Sequence, residues 1–342
     1  MAGARASRLA VVAWASAAWV CATGLATAEP VNPERSQAEK LERWQAARSG
    51  RLQLPLPGTP DTEKLITRLA NAGMQLGAPV LIRIFKAESE LEVWIKKGRA
   101  FELFATYPVC YWSGALGPKR HEGDRQTPEG FYTVTEDLLH HGQRWRRSLN
   151  VGYPNIFDRV NGRSGSVILV HGGCDSSGCF AMTNAVNAEL YDLVSAALRI
   201  TPHVPMQIFP FRMTDANVAA NSASPWAQFW RDLKDGYESF ERTRLPPKVS
   251  VCQRRYQVRD ASPFEREPEG VELCDQDRDS LPPHLDQAGR VPGKQAQAAE
   301  RPAPACDLAR PSCRKWVSLR DRKGANRAVA GRGAGSKTST IR

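Results

Sequence analysis

The run His171-Gly172-Gly173-Cys174-Asp175-Ser176-Ser177-Gly178-Cys179-Phe180-Ala181-Met182-Thr183 constrains this chain more than any other segment. It follows the apolar stretch Val167-Ile168-Leu169-Val170 and precedes an amphipathic one, Asn184 to Leu198. In that second stretch Val186, Leu190, Leu193, Val194 and Ala197 share a side. The order is therefore buried strand, loop, helix. A histidine stands at the strand end, two cysteines sit in the loop, and glycines permit close backbone approach. An imidazole beside a thiol is the equipment of cysteine acyl transfer. A neutral histidine takes the thiol proton near pH 7, the thiolate attacks a carbonyl, and loop amides stabilise the oxyanion.

The flanking pattern is mostly β. Gln37 to Arg48 has a short helical period, and residues 61–75 form a helix started by Asp61 and closed by Gly73. Strands are expected at Pro79 to Phe85, Leu91 to Ile95 and Phe101 to Val109, with Lys96-Lys97-Gly98-Arg99 as a hairpin turn. These read as an antiparallel meander. A polar loop, Ser113 to Glu129, leads to a strand at Phe131 to Thr135, and residues 136–165 read as irregular. Val204 to Pro210 is a last strand and Pro225 to Arg242 an amphipathic helix, with Trp226, Phe229 and Trp230 at docking spacing. Beyond Pro246 the regular pattern weakens. The fold class is mainly β with flanking helices.

Residues 1–28 have the layout of an export signal: Arg5 and Arg8, an apolar Leu9 to Val20, then Ala26-Thr27-Ala28. That layout predicts a periplasmic or cell-envelope protein with no transmembrane segment in the mature chain. Of eight cysteines, Cys21 lies in the signal, leaving seven. An odd number in an oxidising compartment leaves at least one thiol unpaired within the chain. Cys174 and Cys179 have no second pair at ligand spacing, and adjacent His140 and His141 are a poor metal pair, so no metal or other cofactor is expected. The net charge of +11 is concentrated at the end, where residues 281–342 carry 13 Lys/Arg against 4 Asp/Glu. With few aromatics, that segment reads as a disordered basic tail. It is weak support for nucleic acid, which is not an expected partner.

The motifs resemble the YkuD-type L,D-transpeptidase catalytic domain of bacterial cell-wall enzymes, and its YafK-like branch in particular. The likeness is carried by Gly114 to Lys119, Glu122 to Tyr132, Asn150 to Asn155 and Gly178 to Thr183. It implies a β-sandwich catalytic domain over 61–250, after a linker and helix at 29–60 and before a Cys-containing extension at 251–280. It also implies Cys179 as nucleophile and His171 as base, with Ser177, Gly178 and Gly172 shaping the loop and the oxyanion pocket. No Asp or Asn at convincing spacing orients the imidazole, and the carbonyl of Gly172 or a neighbour is a candidate for that role. Cys174 reads as half of a structural disulfide, with Cys110 a candidate partner. Lys119 and Arg125 are candidate substrate contacts. The commoner members carry arginine two residues after the nucleophile; this chain has Ala181. The implied partners are peptidoglycan stem peptides and, by the YafK-like branch, a peptidoglycan-bound lipoprotein. Transfer to an amine, hydrolysis releasing that lipoprotein, and a catalytically inactive peptidoglycan-binding protein all remain open at this point.

Overall fold

The computed structural model describes residues 30–142, 145–265 and 269–280. The expected signal at 1–28 and basic tail at 281–342 lie outside them. Helix α1 spans Pro33–Arg48, starting before the helical period does. The Asn32 side chain accepts the amides of Glu34 and Arg35, and Pro33 follows it, which is a sound helix start. A short 3-10 turn and helix α2 (Leu65–Asn71) replace the single helix expected over 61–75. Strands β1 (Val80–Phe85), β2 (Glu90–Lys97) and β3 (Ala100–Pro108) form the expected meander. Next come the short β4 (Tyr111–Trp112), then β5 (Gly130–Val134) after the long loop.

The segment 136–165 is less irregular than its sequence suggests. It holds β6 (Leu139–His140), β7 (Ser148–Asn150) and helix α3 (Ile156–Val160), whose start is a reciprocal cap between Asn155 and Asp158. Strand β8 (Leu169–Gly172), a seven-residue loop at 173–179, β9 (Phe180–Met182) and helix α4 (Asn184–Leu198) follow. Then come β10 (Val204–Phe209), α5 (Asp215–Ala220) and α6 (Ala227–Thr243). The chain is also ordered past Pro246, with β11 (Lys248–Cys252), β12 (Arg255–Arg259) and β13 (Glu272–Leu273). The β11–β12 turn puts Gln253 and Arg254 at positive φ, a two-residue hairpin turn without the usual Gly or Asn.

The strands make two five-stranded sheets, ordered β3-β2-β1-β10-β5 and β4-β9-β8-β7-β6, and a small third one, β12-β11-β13. Both large sheets are mixed. The meander continues through a parallel β1–β10 pair, and β8 pairs parallel with β9. β1 has neighbours on both edges and buries all six of its residues, as a central strand must. One core joins both large sheets and α4, including Ile82, Val93, Val170, Phe180, Val186 and Ile208. A second, aromatic cluster seats α6 on the first sheet through Phe229, Trp230 and Leu233 against Phe85, Phe131 and Phe209.

Two sets of polar contacts fix the parts nearest the β8–β9 loop, namely the long loop at 113–129 and helix α1. Lys86 and Glu129 form an ion pair at 2.8 Å with neither side chain exposed. Lys86 Nζ also donates to the carbonyls of Gly117 (2.8 Å) and Thr127 (3.3 Å). Glu129 accepts the Gly117 amide at 2.7 Å and the Trp230 indole at 2.8 Å. Helix α1 docks by a polar stripe. Ser36 donates to Ala87 O (2.5 Å), and Lys40 donates to Gly114 O (2.5 Å) while lying 3.4 Å over the Trp112 ring. Spacing of four places these residues on one helix face.

Removing one partner of a buried pair strands the other charge. Lys86→Met is expected to lower unfolding free energy by about 3–5 kcal/mol, measured by denaturant unfolding, with Lys86→Met/Glu129→Leu losing less. Lys40 gives a pH signature. Burial first, then the charges of Lys86 and Arg43, lower its pKa to about 7. Above that pH the unfolded chain holds the proton the folded chain has released, so this group makes stability rise with pH up to the ordinary lysine range. The melting temperature of wild type relative to Lys40→Met should therefore climb from pH 7 to pH 9; a constant difference refutes the assignment.

Candidate active site

The seven residues 173–179 connect two adjacent parallel strands, β8 and β9, without a helix. Such crossovers usually take a dozen residues or more. The shortness shows in the backbone, where Gly173, Cys174 and Gly178 all have positive φ (109°, 54° and 118°). In register, His171 pairs with Ala181, two residues after Cys179. The Leu169 amide donates to Cys179 Sγ at 3.3 Å, which places the thiol one step before β9. Side chains alternate along strands, so thiol and imidazole lie toward the same side of the sheet on neighbouring strands.

The imidazole is buried, with its Nδ1 2.8 Å from the carbonyl oxygen of Gly172 and its ring packed against Trp145, tilted by 41° with centroids 4.1 Å apart. A proton on Nδ1, donated to that carbonyl, leaves Nε2 as the basic nitrogen. Gly172 is held close: a Cβ there would stand 2.5 Å from Asn184 Oδ1. Cys179 is the free cysteine among the described residues. Burial pushes its thiol pKa up, while the Leu169 amide, the Lys119 charge and the Ser176 hydroxyl pull it down. The balance is upward, so the thiol depends on a base for activation at neutral pH.

Two hydroxyls hold the loop in shape. Ser113 Oγ accepts the Gly178 amide at 2.7 Å, and Ser176 Oγ accepts the Cys179 amide at 2.8 Å and donates to the Cys179 carbonyl at 2.9 Å. The two hydroxyls are 3.3 Å apart. The amides that sequence reasoning offers to an oxyanion are thus engaged by serines in this conformation. Ser113 carried no sequence signal, because it stands 66 residues before Cys179 on another strand end. Ser177 and Gly178 instead line a cavity of about 340 Å³ beside Cys179, together with Lys119, Glu122 and Arg125.

The loop is also tethered from outside. Cys174 is bonded to Cys110, with their Cα atoms 5.2 Å apart. A second disulfide, Cys252–Cys274, joins β11 to the residue after β13. Asp175 accepts the Trp44 indole N–H of α1 at 2.8 Å, and Trp44 stacks on Tyr111. Lys119 is buried and pairs with Asp124 at 2.5 Å, whereas Arg125 is exposed on the cavity wall. Ala181 is fully buried, in register with both Tyr111 and His171. His121 is exposed, and His141 Nδ1 lies 3.0 Å from the Tyr191 hydroxyl. Among the described residues no group of three or more His, Cys, Asp or Glu side chains is placed to hold a metal ion.

Ser113→Ala removes the acceptor of a buried amide, at a cost of about 1–3 kcal/mol. Hydrogen exchange at the Gly178 amide should speed up by roughly tenfold or more; unchanged protection would show that this hydroxyl does not hold the loop.

Residues 79–219 match the YkuD family, described as the L,D-transpeptidase catalytic domain. The chain is 45% identical over 184 residues to YafK of Escherichia coli strain K12 and equally to YafK of strain O157:H7, both provisionally named L,D-transpeptidases. Each match covers 54% of this chain and 75% of the relative. Among solved structures, the helical cell shape determining protein Pgp2 of Campylobacter jejuni is 18% identical with a TM-score of 0.32, over 53% of this chain and 65% of that one. Bd1075 of Bdellovibrio bacteriovorus is 21% identical with a TM-score of 0.29, over 47% and 60%. The chain thus spans less than two thirds of either solved relative. On the YafK identity and the matched catalytic domain, the chain belongs to the YkuD-type L,D-transpeptidase family, in its YafK-like branch.

Proposed function

We propose that this protein is an exported cysteine acyl-transfer enzyme that remodels peptidoglycan through its stem peptides. The observation that carries this reading is a free thiol, Cys179, at the wall of a cavity and one strand from a buried histidine whose Nδ1 faces a carbonyl. In the proposed reaction His171 takes the Cys179 proton and the thiolate attacks the carbonyl of a peptide bond in the stem. The tetrahedral intermediate collapses, the C–N bond breaks, and His171 returns the proton to the departing amine. The resulting thioester is then resolved by an acceptor amine, giving a new peptide bond, or by water, giving a carboxylate. Either acceptor regenerates the thiol. Likeness to YafK and the alanine at 181 favour the YafK-like branch, for which hydrolytic release of a peptidoglycan-bound lipoprotein is the second reading.

Export is supported by the signal-like layout of 1–28 and by two disulfides among the described residues, which persist in an oxidising compartment. No helix among the described residues is long and apolar enough to cross a membrane. The mature chain incubated with muropeptides and analysed by mass spectrometry should give either a new cross-link or a released fragment. Cys179→Ala should abolish product, and Cys174→Ala should retain the chemistry while losing about 2–5 kcal/mol of stability with its disulfide. Equal turnover by Cys179→Ala and wild type would sink the proposal.

A further inference from the structure

Trp44 stands on α1, outside the matched family domain, and touches the site at two places. Its indole N–H donates to Asp175 Oδ1 at 2.8 Å, and its ring stacks on Tyr111 with centroids 5.7 Å apart. The first contact falls four residues before Cys179. The second acts two residues after it, because Tyr111 pairs with Ala181 across β4 and β9. One side chain therefore grips the loop near both of its ends. The indole is itself held: Arg48, one turn along the helix, lies 4.8 Å over the ring. Helix α1 buries Ser36 and Lys40 and leaves Leu41 exposed, so it docks through its polar contacts rather than through apolar burial. Ala47 at its end, with Leu52 and Leu56 beyond, packs over the buried Cys110 and Cys174.

The disulfide fixes residue 174 and β9 begins at residue 180, so residues 175–179 depend on non-covalent contacts for their path. Asp175 is the first of them, and it is followed by Ser176. The Ser176 hydroxyl accepts the Cys179 amide at 2.8 Å and donates to the Cys179 carbonyl at 2.9 Å. Asp175 is exposed, and the indole ties its carboxylate to α1. We propose that Trp44 is a positioning residue for Cys179: through Asp175 it sets the path of residues 175–178 and so the placement of the thiol against the His171 imidazole. Reactivity is steep in such placement, since a shift of about 1 Å can cost about a hundredfold in rate. The Ser176 hydroxyl is also among the groups that draw the thiol pKa down, so a displaced Ser176 leaves the thiol harder to ionise. The inference rests on the proposed role of Cys179 as nucleophile and adds a residue, from outside the matched domain, that governs it.

The test reads the thiol directly. The mature full-length protein is alkylated with iodoacetamide across a pH series, and modification at Cys179 is followed by peptide-mapping mass spectrometry. Trp44→Phe keeps a ring for Tyr111 and removes the N–H. Asp175→Ala removes the acceptor, and Asp175→Asn keeps an oxygen for the indole without the charge. Trp44→Phe and Asp175→Ala should each slow neutral-pH alkylation about threefold to tenfold, the scale of one hydrogen bond to a charged group. The cause should be a profile moved up by about half a unit to one unit of pH, with rates that converge in alkali. Loss of a nearby carboxylate charge alone would ease thiolate formation, so a slower Asp175→Ala has the sign of lost placement. The charged or titrating groups around the thiol, His171 on β8 and Lys119, Glu122 and Arg125 on the cavity wall, are left in place by these substitutions. Asp175→Asn should stay near wild type, and Trp44→Phe/Asp175→Ala should be no slower than either single variant. A contact that only stabilises the fold would change the melting temperature and leave the profile where it is. With muropeptides, Trp44→Phe should lower kcat and leave KM little changed. An unmoved profile in either Trp44→Phe or Asp175→Ala, an Asp175→Asn as slow as Asp175→Ala, or losses that add in the double variant overturns the inference. Asp175→Ala leaves α1 untouched, so it carries the test where Trp44→Phe does not fold. A moved profile with no turnover of any muropeptide by wild type refutes the proposed function and leaves the positioning role standing.

Discussion

The fully buried ion pair between Lys86 and Glu129 is the contact on which the arrangement of the site depends. Lys86 lies just past the end of a central strand, and Glu129 ends the long loop that walls the cavity. Two charges removed from water at such depth are tolerable only when their remaining donors and acceptors are also satisfied. Here Gly117, Thr127 and Trp230 complete the set, so a single pair fixes loop, sheet and α6 together. The same buried cation helps hold the nearby Lys40 ammonium below its usual range, which links the docking of α1 to this centre.

Around that anchor the loop carrying Cys179 is held from three directions: a disulfide to Cys110, serine hydroxyls on consecutive amides, and an indole from α1. Each addresses a difficulty created by a short parallel crossover. Positive φ at Cys174 costs energy in a non-glycine residue, and the disulfide holds it there. Amides turned inward by the tight path need acceptors, and Ser113 and Ser176 provide them. The result is a loop that holds the Cys179 thiol in a fixed relation to the imidazole on the neighbouring strand.

Those parts of the fold that follow a hydrophobic period were legible in the sequence. Helix α4 spans the residues that its apolar side marks, and the first three strands fall within a residue or two of their expected positions. What escaped has identifiable reasons. The contact face of α1 is Ser36, Lys40 and Trp44, a mostly polar stripe that leaves no apolar signature. The β11–β12 hairpin turns on Gln253 and Arg254, which are not turn-forming residue types. Parallel pairing of β1 with β10 joins segments more than a hundred residues apart, a relation no local pattern encodes. In the site, the motif located His171 and Cys179, but only three dimensions reveal that Lys119 is committed to Asp124 while Arg125 is not.

The docking of α1 changes what counts as the working unit. The matched family domain begins at residue 79, yet Trp44 reaches Asp175 inside the loop that carries Cys179 and Lys40 reaches Gly114 at the start of the cavity loop. A domain recognised by family likeness is therefore smaller than the piece of chain that sets its chemistry. Transplanting residues 79–219 alone into another protein would carry over the thiol and the imidazole without the brace that orients them. The segment that braces the reactive loop thus lies outside the part of the chain that family likeness picks out.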